Sequence, residues 1–348
     1  MAHAVAKGAL PQVILLTGPA GVGKQRLSLW LAQLVLCERR GSEPCGECRP
    51  CKLVDTLSHP DVHWFIPVPR PKASDPDKQV EEAAQSLAQI IDERRSQPLY
   101  GESDGMASHS LATVRLLQRR ASLTAVEGGR RVFIIGEADR LVAQEASPEA
   151  ANALLKLLEE PPAGSLFLLT TVEPRRLLPT VRSRAVTLRL APLADAEVRG
   201  FLETSLQPRP SGAELDRRVA AAAGSLGKAL QAGLAGGKAQ EAADRLLAGV
   251  LAGPGPALER ALNQPPWSAR GEFTAMLDAL AETLGEAARV SVGQPPRREL
   301  PESLLRRSGP EPLLQALERV ADAREAAWGN VNPQILLAVL GQELAEVL

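Results

Sequence analysis

Cys37, Cys45, Cys48 and Cys51 are all the cysteines in the chain, spaced Cys-x7-Cys-x2-Cys-x2-Cys. Thiolates are soft ligands, and four of them suit a tetrahedral zinc ion. A site filled by four protein sulfurs has no open position for a substrate, so its expected role is structural. Gly46 and the short polar spacers allow the tight turns that aim sulfurs inward. Buried free cysteines are the plain alternative, which a polar stretch bearing glycine and proline disfavours. The opening residues, MAHAVAKGALPQ, lack the form of a secretory signal, so metal is expected in place of disulfides.

Gly18-Pro-Ala-Gly-Val-Gly-Lys24-Gln25 carries a second chemical signature. It follows an apolar strand expected at Val13–Thr17 and precedes a helix expected from about Arg26 to Leu36. In that context Gly18, Gly21 and Gly23 let backbone N–H groups approach phosphate oxygens, the helix N-terminus favours anions, and Lys24 reaches for the terminal phosphates. The position after the lysine normally carries a Ser or Thr hydroxyl for magnesium, and here it is Gln25. A loop kept only as a fold element is the competing reading. Further on, Arg182 and Arg184 flank Ser183. Such arginines serve either in scaffold ion pairs or in presentation to a neighbour's phosphate, and spacing alone favours the scaffold.

The elements that must position these groups form two patterns. Short apolar runs at Val13–Thr17, Val62–Ile66, Arg131–Ile135, Leu166–Leu169 and Ala185–Leu190 alternate with helical segments, which predicts an α/β parallel sheet with helices on both faces. Thr170 and Thr171 stand at the C-terminal end of the fourth run, where open α/β sheets handle ligands. His59-Pro60-Asp61 reads as a turn. Gln79–Arg95 has Val80, Ala83, Ala84, Leu87, Ile90 and Ile91 on one face, Pro98–Ser110 is polar, and Thr113–Leu123 is helical. Asn152–Glu160 is a helix stopped by Pro161-Pro162.

Beyond Pro192 only helices are expected, at 195–206, 214–223 and 225–234, then after a linker at Ala235–Gly237 at 239–252, 256–264, 267–290, 311–327 and 333–347. Leu313, Leu314, Leu317, Val320 and Ala321 read onto one face, and 294–301 reads as a loop. The length of 348 residues suggests two or three domains. With 40 basic and 41 acidic residues, the chain lacks the basic excess of a protein that grips nucleic acid alone. No uninterrupted apolar run is long enough to predict a membrane span.

The run N-A-L-L-K-x-L-E-E-P-P at Asn152–Pro162, with Ser183-Arg184, strongly resembles the clamp-loader branch of the AAA+ ATPases. That family's motif is Ser-Arg-Cys, and Ala185 replaces the cysteine. The resemblance covers most of residues 1–235 and, more weakly, the chain's end, where Asn330-Val-Asn332-Pro333 precedes an apolar helix. A cysteine module after the glycine-loop helix, followed by His-Pro-Asp, is also similar to bacterial clamp-loader subunits.

The resemblance implies an AAA+ nucleotide-binding-type domain over 1–191 with the zinc module 37–51 inserted, a three-helix lid over 192–235, and an all-helical oligomerisation collar over 238–348. It implies that Arg184 is an arginine finger acting in trans. In active members the third apolar strand ends in Asp-Glu, the Asp assisting magnesium and the Glu orienting water. Here those positions are Gly136 and Glu137, with Asp139 two residues on. Gly227, beside Lys228, stands where a lid arginine contacts phosphate. With Gln25, three contacts of the chain's own ATP–magnesium site are weakened.

That combination implies a stator: a cytoplasmic subunit with weak or absent ATPase activity. Its expected partners are gamma/tau ATPase subunits and a delta subunit in a hetero-pentamer of DNA polymerase III, which loads a sliding clamp onto primed DNA. Nucleotidyl transfer then belongs to the complex, and no polymerase carboxylates are identifiable in this chain. Two rival readings stand beside it. One is an active gamma/tau-type ATPase that tolerates Gln25 and Gly136. The other is a zinc-ribbon nucleic-acid-binding module on an inactive ATPase fold, against which the near-zero net charge counts.

Overall fold

All five apolar runs pair into one parallel sheet in the computed structural model, which describes residues 5, 9–39, 41–96, 107–127, 129–141, 149–206, 209–231, 237–263, 270–297, 300–307, 309–327 and 331–348. The chain divides into two compact units, Met1–Leu193 with Ser225–Gly227, and Ala194–Gly224 with Lys228–Leu348.

In the first unit the elements run β1 (Val13–Thr17), α1 (Lys24–Leu36), α2 (Arg49–Asp55), β2 (Val62–Phe65), α3 (Pro76–Ser96), α4 (Leu111–Ser122), β3 (Arg131–Ile135), a 3-10 turn (Ala138–Leu141), α5 (Glu149–Glu159), β4 (Ser165–Thr171), the single turn α6 (Pro179–Arg182) and β5 (Val186–Arg189). The sheet order is β2-β3-β4-β1-β5. The glycine loop leaves β1, which lies between β4 and β5.

β1, β3 and β4 are buried along their whole length, as expected of parallel strands covered on both faces. Phe133 and Phe167 lie opposite each other in the β3–β4 register and stack with ring centroids 5.0 Å apart. Burying a side chain of this size contributes roughly 1.5–3 kcal/mol. Leu154 and Leu158 of α5, Leu87 of α3, and Leu117 of α4 close over the sheet. Arg131 lies buried at the start of β3, where its Nη1 donates to the carbonyls of Ala121 (2.7 Å) and Leu123, the orphaned acceptors at the end of α4. β5 is an exposed edge.

The second unit is helical: α7 (Asp195–Ser205), α8 (Gly212–Ala222), α9 (Leu226–Gln231, whose first two residues belong to the first unit), α10 (Gly237–Ala252), α11 (Pro254–Leu262), α12 (Arg270–Ser291), α13 (Glu302–Arg307), α14 (Pro310–Ala326) and α15 (Pro333–Val347). One apolar core runs through α10, α11, α12, α14 and α15, including Leu246, Leu280, Val320 and Leu340. The expected face of α14 needs correcting. Leu313, Ala316, Val320 and Ala323 are buried, whereas Leu314 and Ala321 are exposed, because each stands one residue, about 100° of helix, past a buried neighbour. α13 follows a stretch read as loop and is too short to show a helical period. Of the expected linker, residues 235 and 236 lie outside the described residues, as do 98–106 of the polar stretch and Asn330. Among the described residues, no helix is long and apolar enough to cross a membrane.

Candidate functional site

Parallel register decides what surrounds the glycine loop. Thr17 at the end of β1 is opposite Thr171 on one side and Arg189 on the other. The chain leaves β5 beside the loop, and Leu190 N donates to Thr17 O at 2.8 Å. Gly18 takes φ +147°, and a Cβ there would stand 2.6 Å from the Leu190 carbonyl oxygen. Gly21, at φ +70°, would push a Cβ to 2.4 Å from Ser225 Oγ. Close approach of protein to protein therefore accounts for both glycines here. Ser225 Oγ donates to Ala20 O at 2.8 Å, and Gly227 N donates to Gly21 O at 3.0 Å. The segment expected to bring a lid cation to phosphate thus rests on the loop's own backbone. Gly23, also left-handed at φ 98°, precedes the first residue of α1.

Lys24 folds back onto the loop, its Nζ donating to Gly18 O at 2.8 Å and Pro19 O at 2.7 Å. Burial pushes its ammonium down to a pKa of about 8, against the opposing pull of Asp139 and Glu137. Gln25 reaches across to the end of β3. Its Nε2, Cδ and Oε1 lie 3.0, 3.1 and 3.2 Å from where a Gly136 Cβ would be, so Gln25 fills the space an aspartate side chain would take. Gln25 Oε1 is buried and, among the described residues, finds no hydrogen-bond donor.

Glu137 sits in the left-handed region at φ 51°, a strained choice for a side-chain-bearing residue. Its N–H donates to Thr170 Oγ1 at 3.1 Å, and its carboxylate pairs with Arg140 Nε at 2.9 Å. Thr171 Oγ1 donates to Asp139 Oδ1 at 2.5 Å. Both threonines expected to face ligand therefore shape the turn after β3. His109 completes that turn. Its Nε2 lies 2.7 Å from Gly136 O, which requires the proton on that nitrogen. No signal in the sequence marks it, because its partner is a backbone carbonyl.

Arg184 stands beyond α6. Its Nη1 donates to Thr180 O at 2.8 Å, and its Nη2 pairs with the Glu159 carboxylate at the end of α5. Arg182 is also exposed.

The four cysteines converge as expected, with their sulfur atoms all within 4.8 Å of one another. Cys37 ends the glycine-loop helix, and Cys48 and Cys51 straddle the start of α2. Cys45 N donates to Cys37 Sγ at 3.4 Å and Cys48 N to Cys45 Sγ at 3.3 Å, which favours thiolate character. The Cys48 N–H lowers the Cys45 thiol to about 6, whereas burial pushes Cys51 up to about 12. A bound cation deprotonates coordinating thiols outright, so both cysteines can serve as thiolates. The cluster can hold a metal ion. Nearby, His59 Nδ1 accepts from Asp61 N at 3.1 Å, and Asp61 Oδ1 and Oδ2 accept from Val126 N and Glu127 N at 2.7 and 2.6 Å. His59 thus serves the turn and not the cysteine cluster.

A family model described as DNA polymerase III, delta subunit, matches residues 1–194. DNA polymerase III subunit delta' of Bacillus subtilis is 32% identical over 207 residues, covering 59% of this chain and 50% of that protein. The Pseudomonas aeruginosa subunit delta' is 35% identical over 214 residues, covering 61% and 52%. Escherichia coli subunit delta' is 27% identical over 332 residues, covering 94% and 86%. The chain spans about half the length of the first two relatives.

Burial depresses His109 to about 4 from an ordinary 6.5, with Arg140 adding to the effect and the Gly136 carbonyl opposing it. Between those values the unfolded chain takes up a proton that the folded chain refuses, so stability falls as pH drops from 6.5 towards 4. Urea titrations of wild type and His109→Gln across that window check this. The wild type is expected to lose stability relative to the variant as pH falls, and parallel curves would contradict the assignment.

Proposed function

The chain belongs to the delta-prime family of DNA polymerase III clamp-loader subunits, and from that membership we propose that it works as the loader's stator. It keeps the AAA+ fold, leaves its own nucleotide site unused, and lends Arg184 to the ATP bound by a neighbouring subunit. The observation that carries the reading is the Gln25–Gly136 contact. A magnesium site needs a hydroxyl after the lysine and a carboxylate at the end of β3. Here the first is an amide and the second has no side chain, and the amide fills the gap between them. Beside the loop, the segment that would carry a phosphate-contacting arginine has Gly227 in its place, and its Ser225 Oγ and Gly227 N bond the carbonyls of Ala20 and Gly21.

A guanidinium is permanently charged and aims directional donors at phosphate oxygens, which suits Arg184 to a γ-phosphate in trans. The partners are then gamma/tau ATPase subunits and a delta subunit in a hetero-pentamer, and through it a sliding clamp and primed DNA in the cytoplasm. Residues 1–191, 192–235 and 238–348 would act as ATPase-type domain, lid and collar. Cys37, Cys45, Cys48 and Cys51 would hold zinc as a structural brace tying α1 to α2. The retained Lys24 and Glu137 favour the rival reading of an active gamma/tau-type ATPase, and hydrolysis by the isolated chain separates the two.

In a reconstituted loader stimulated by clamp and primed DNA, Arg184→Ala is expected to slow single-turnover hydrolysis at the site facing this chain by about 10³-fold. Wild-type chain alone should hydrolyse nothing measurable. An unchanged burst in a loader of correct size would return Arg184 to a scaffold role, and turnover by the isolated chain would favour the motor reading. Elemental analysis should find one zinc per chain, lost in Cys48→Ser with partial unfolding around α2. A metal-free wild-type chain of equal stability would remove the zinc assignment.

A further inference from the structure

We propose that Glu159 is a positioning residue for Arg184, holding the guanidinium in the orientation from which it meets a neighbour's phosphate. This rests on the trans-arginine reading given above.

Both partners stand on rigid ground. Glu159 is the last residue of α5, one place after Leu158, which is buried against the sheet, and Pro161-Pro162 allow the helix no further turn. Arg184 follows α6, whose Val181 is fully buried. Their side chains meet in the open, the Arg184 side chain 33% and the Glu159 side chain 45% exposed. An arginine left alone there would sample many rotamers. Nη2 on the Glu159 carboxylate and Nη1 on Thr180 O at 2.8 Å instead fix the guanidinium plane at both terminal nitrogens. With Nη1 also 3.4 Å from Ser183 Oγ, these contacts engage at most three of the five N–H donors. The remainder can take a phosphate oxygen without breaking either hold.

Stability does not explain the pair. Exposed ion pairs contribute little to folding. A carboxylate at a helix C-terminus also stands against the helix dipole, which prefers cations there. Glu159 is thus badly placed for its own helix and well placed for Arg184. The tandem of glutamates before the double proline gains a physical role: the stop fixes where the carboxylate stands, and the carboxylate fixes where the arginine points.

The test is single-turnover ATP hydrolysis in the reconstituted loader with Glu159→Ala, Glu159→Gln, Arg184→Ala and the Glu159→Ala/Arg184→Ala double variant, each checked for assembly by size. Misplacement of a charged group slows chemistry without weakening substrate binding, so Glu159→Ala is expected to lower the rate by about threefold to thirtyfold at unchanged ATP affinity. Glu159→Gln keeps an acceptor oxygen and should recover most of the rate. The double variant should be no slower than Arg184→Ala, because Glu159 acts only through the arginine. Three results would overturn the proposal while leaving the trans arginine intact: a wild-type or faster rate in Glu159→Ala, multiplicative losses in the double variant, or loss of ATP affinity in place of rate. A wild-type rate in Arg184→Ala would remove the arginine's own role, and the positioning role with it.

Discussion

The placement of β1 between β4 and β5, in parallel with both, is the constraint from which the rest of the first unit follows. It sets Thr17 opposite Thr171 and Arg189, and so brings the glycine loop, the β4 threonines and the exit from β5 to one edge of the sheet. Leu190 N then bonds to Thr17 O, and its carbonyl oxygen comes within 2.6 Å of where a Gly18 Cβ would stand. Any other residue at position 18 would have to push β5 away or unbend the loop. The same edge receives Ser225 and Gly227 on the next two loop carbonyls, which again only glycine at position 21 permits.

Seen from here, the loop's polar groups turn mostly onto the protein itself, Gln25 Oε1 excepted. Lys24 gives two of its three donors to Gly18 and Pro19, the turn after β3 is held by Thr170, Thr171 and His109, and Gln25 lies against Gly136. The residues at these two positions are thus complementary in shape: a longer amide at one fits the missing side chain at the other. On the far end of α5, by contrast, a guanidinium stands exposed and oriented. The division of labour proposed above fits this contrast between an inward-turned loop and an outward-turned arginine.

Much of this was legible in the sequence, for identifiable reasons. β3 spans Arg131–Ile135 as read, because an apolar run between a charged turn and Gly136 has sharp ends. The cysteine cluster was legible because ligand chemistry restricts both type and spacing. α3 starts earlier than its apolar period suggested, since Asp75 Oδ1 accepts from Asp77 N and Lys78 N and so caps a polar first turn. The cysteine spacing masks the short helical period of α2, and the leucines beside Leu314 blur the edge of the α14 face. The Gln25–Gly136, His109–Gly136 and Glu159–Arg184 contacts lie between residues distant in the chain, two of them involving a glycine. No local pattern encodes such contacts, so only the fold reveals them.

The most direct test of the central claim is a structure of the assembled loader trapped with a γ-phosphate analogue, in which the nucleotide sites can be counted and the position of Arg184 read. The account predicts a nucleotide on the neighbouring subunit with the Arg184 guanidinium in hydrogen-bond reach of the analogue, and none on the loop from Gly18 to Lys24. A nucleotide seated on that loop, with Arg184 turned away from any phosphate, would contradict it.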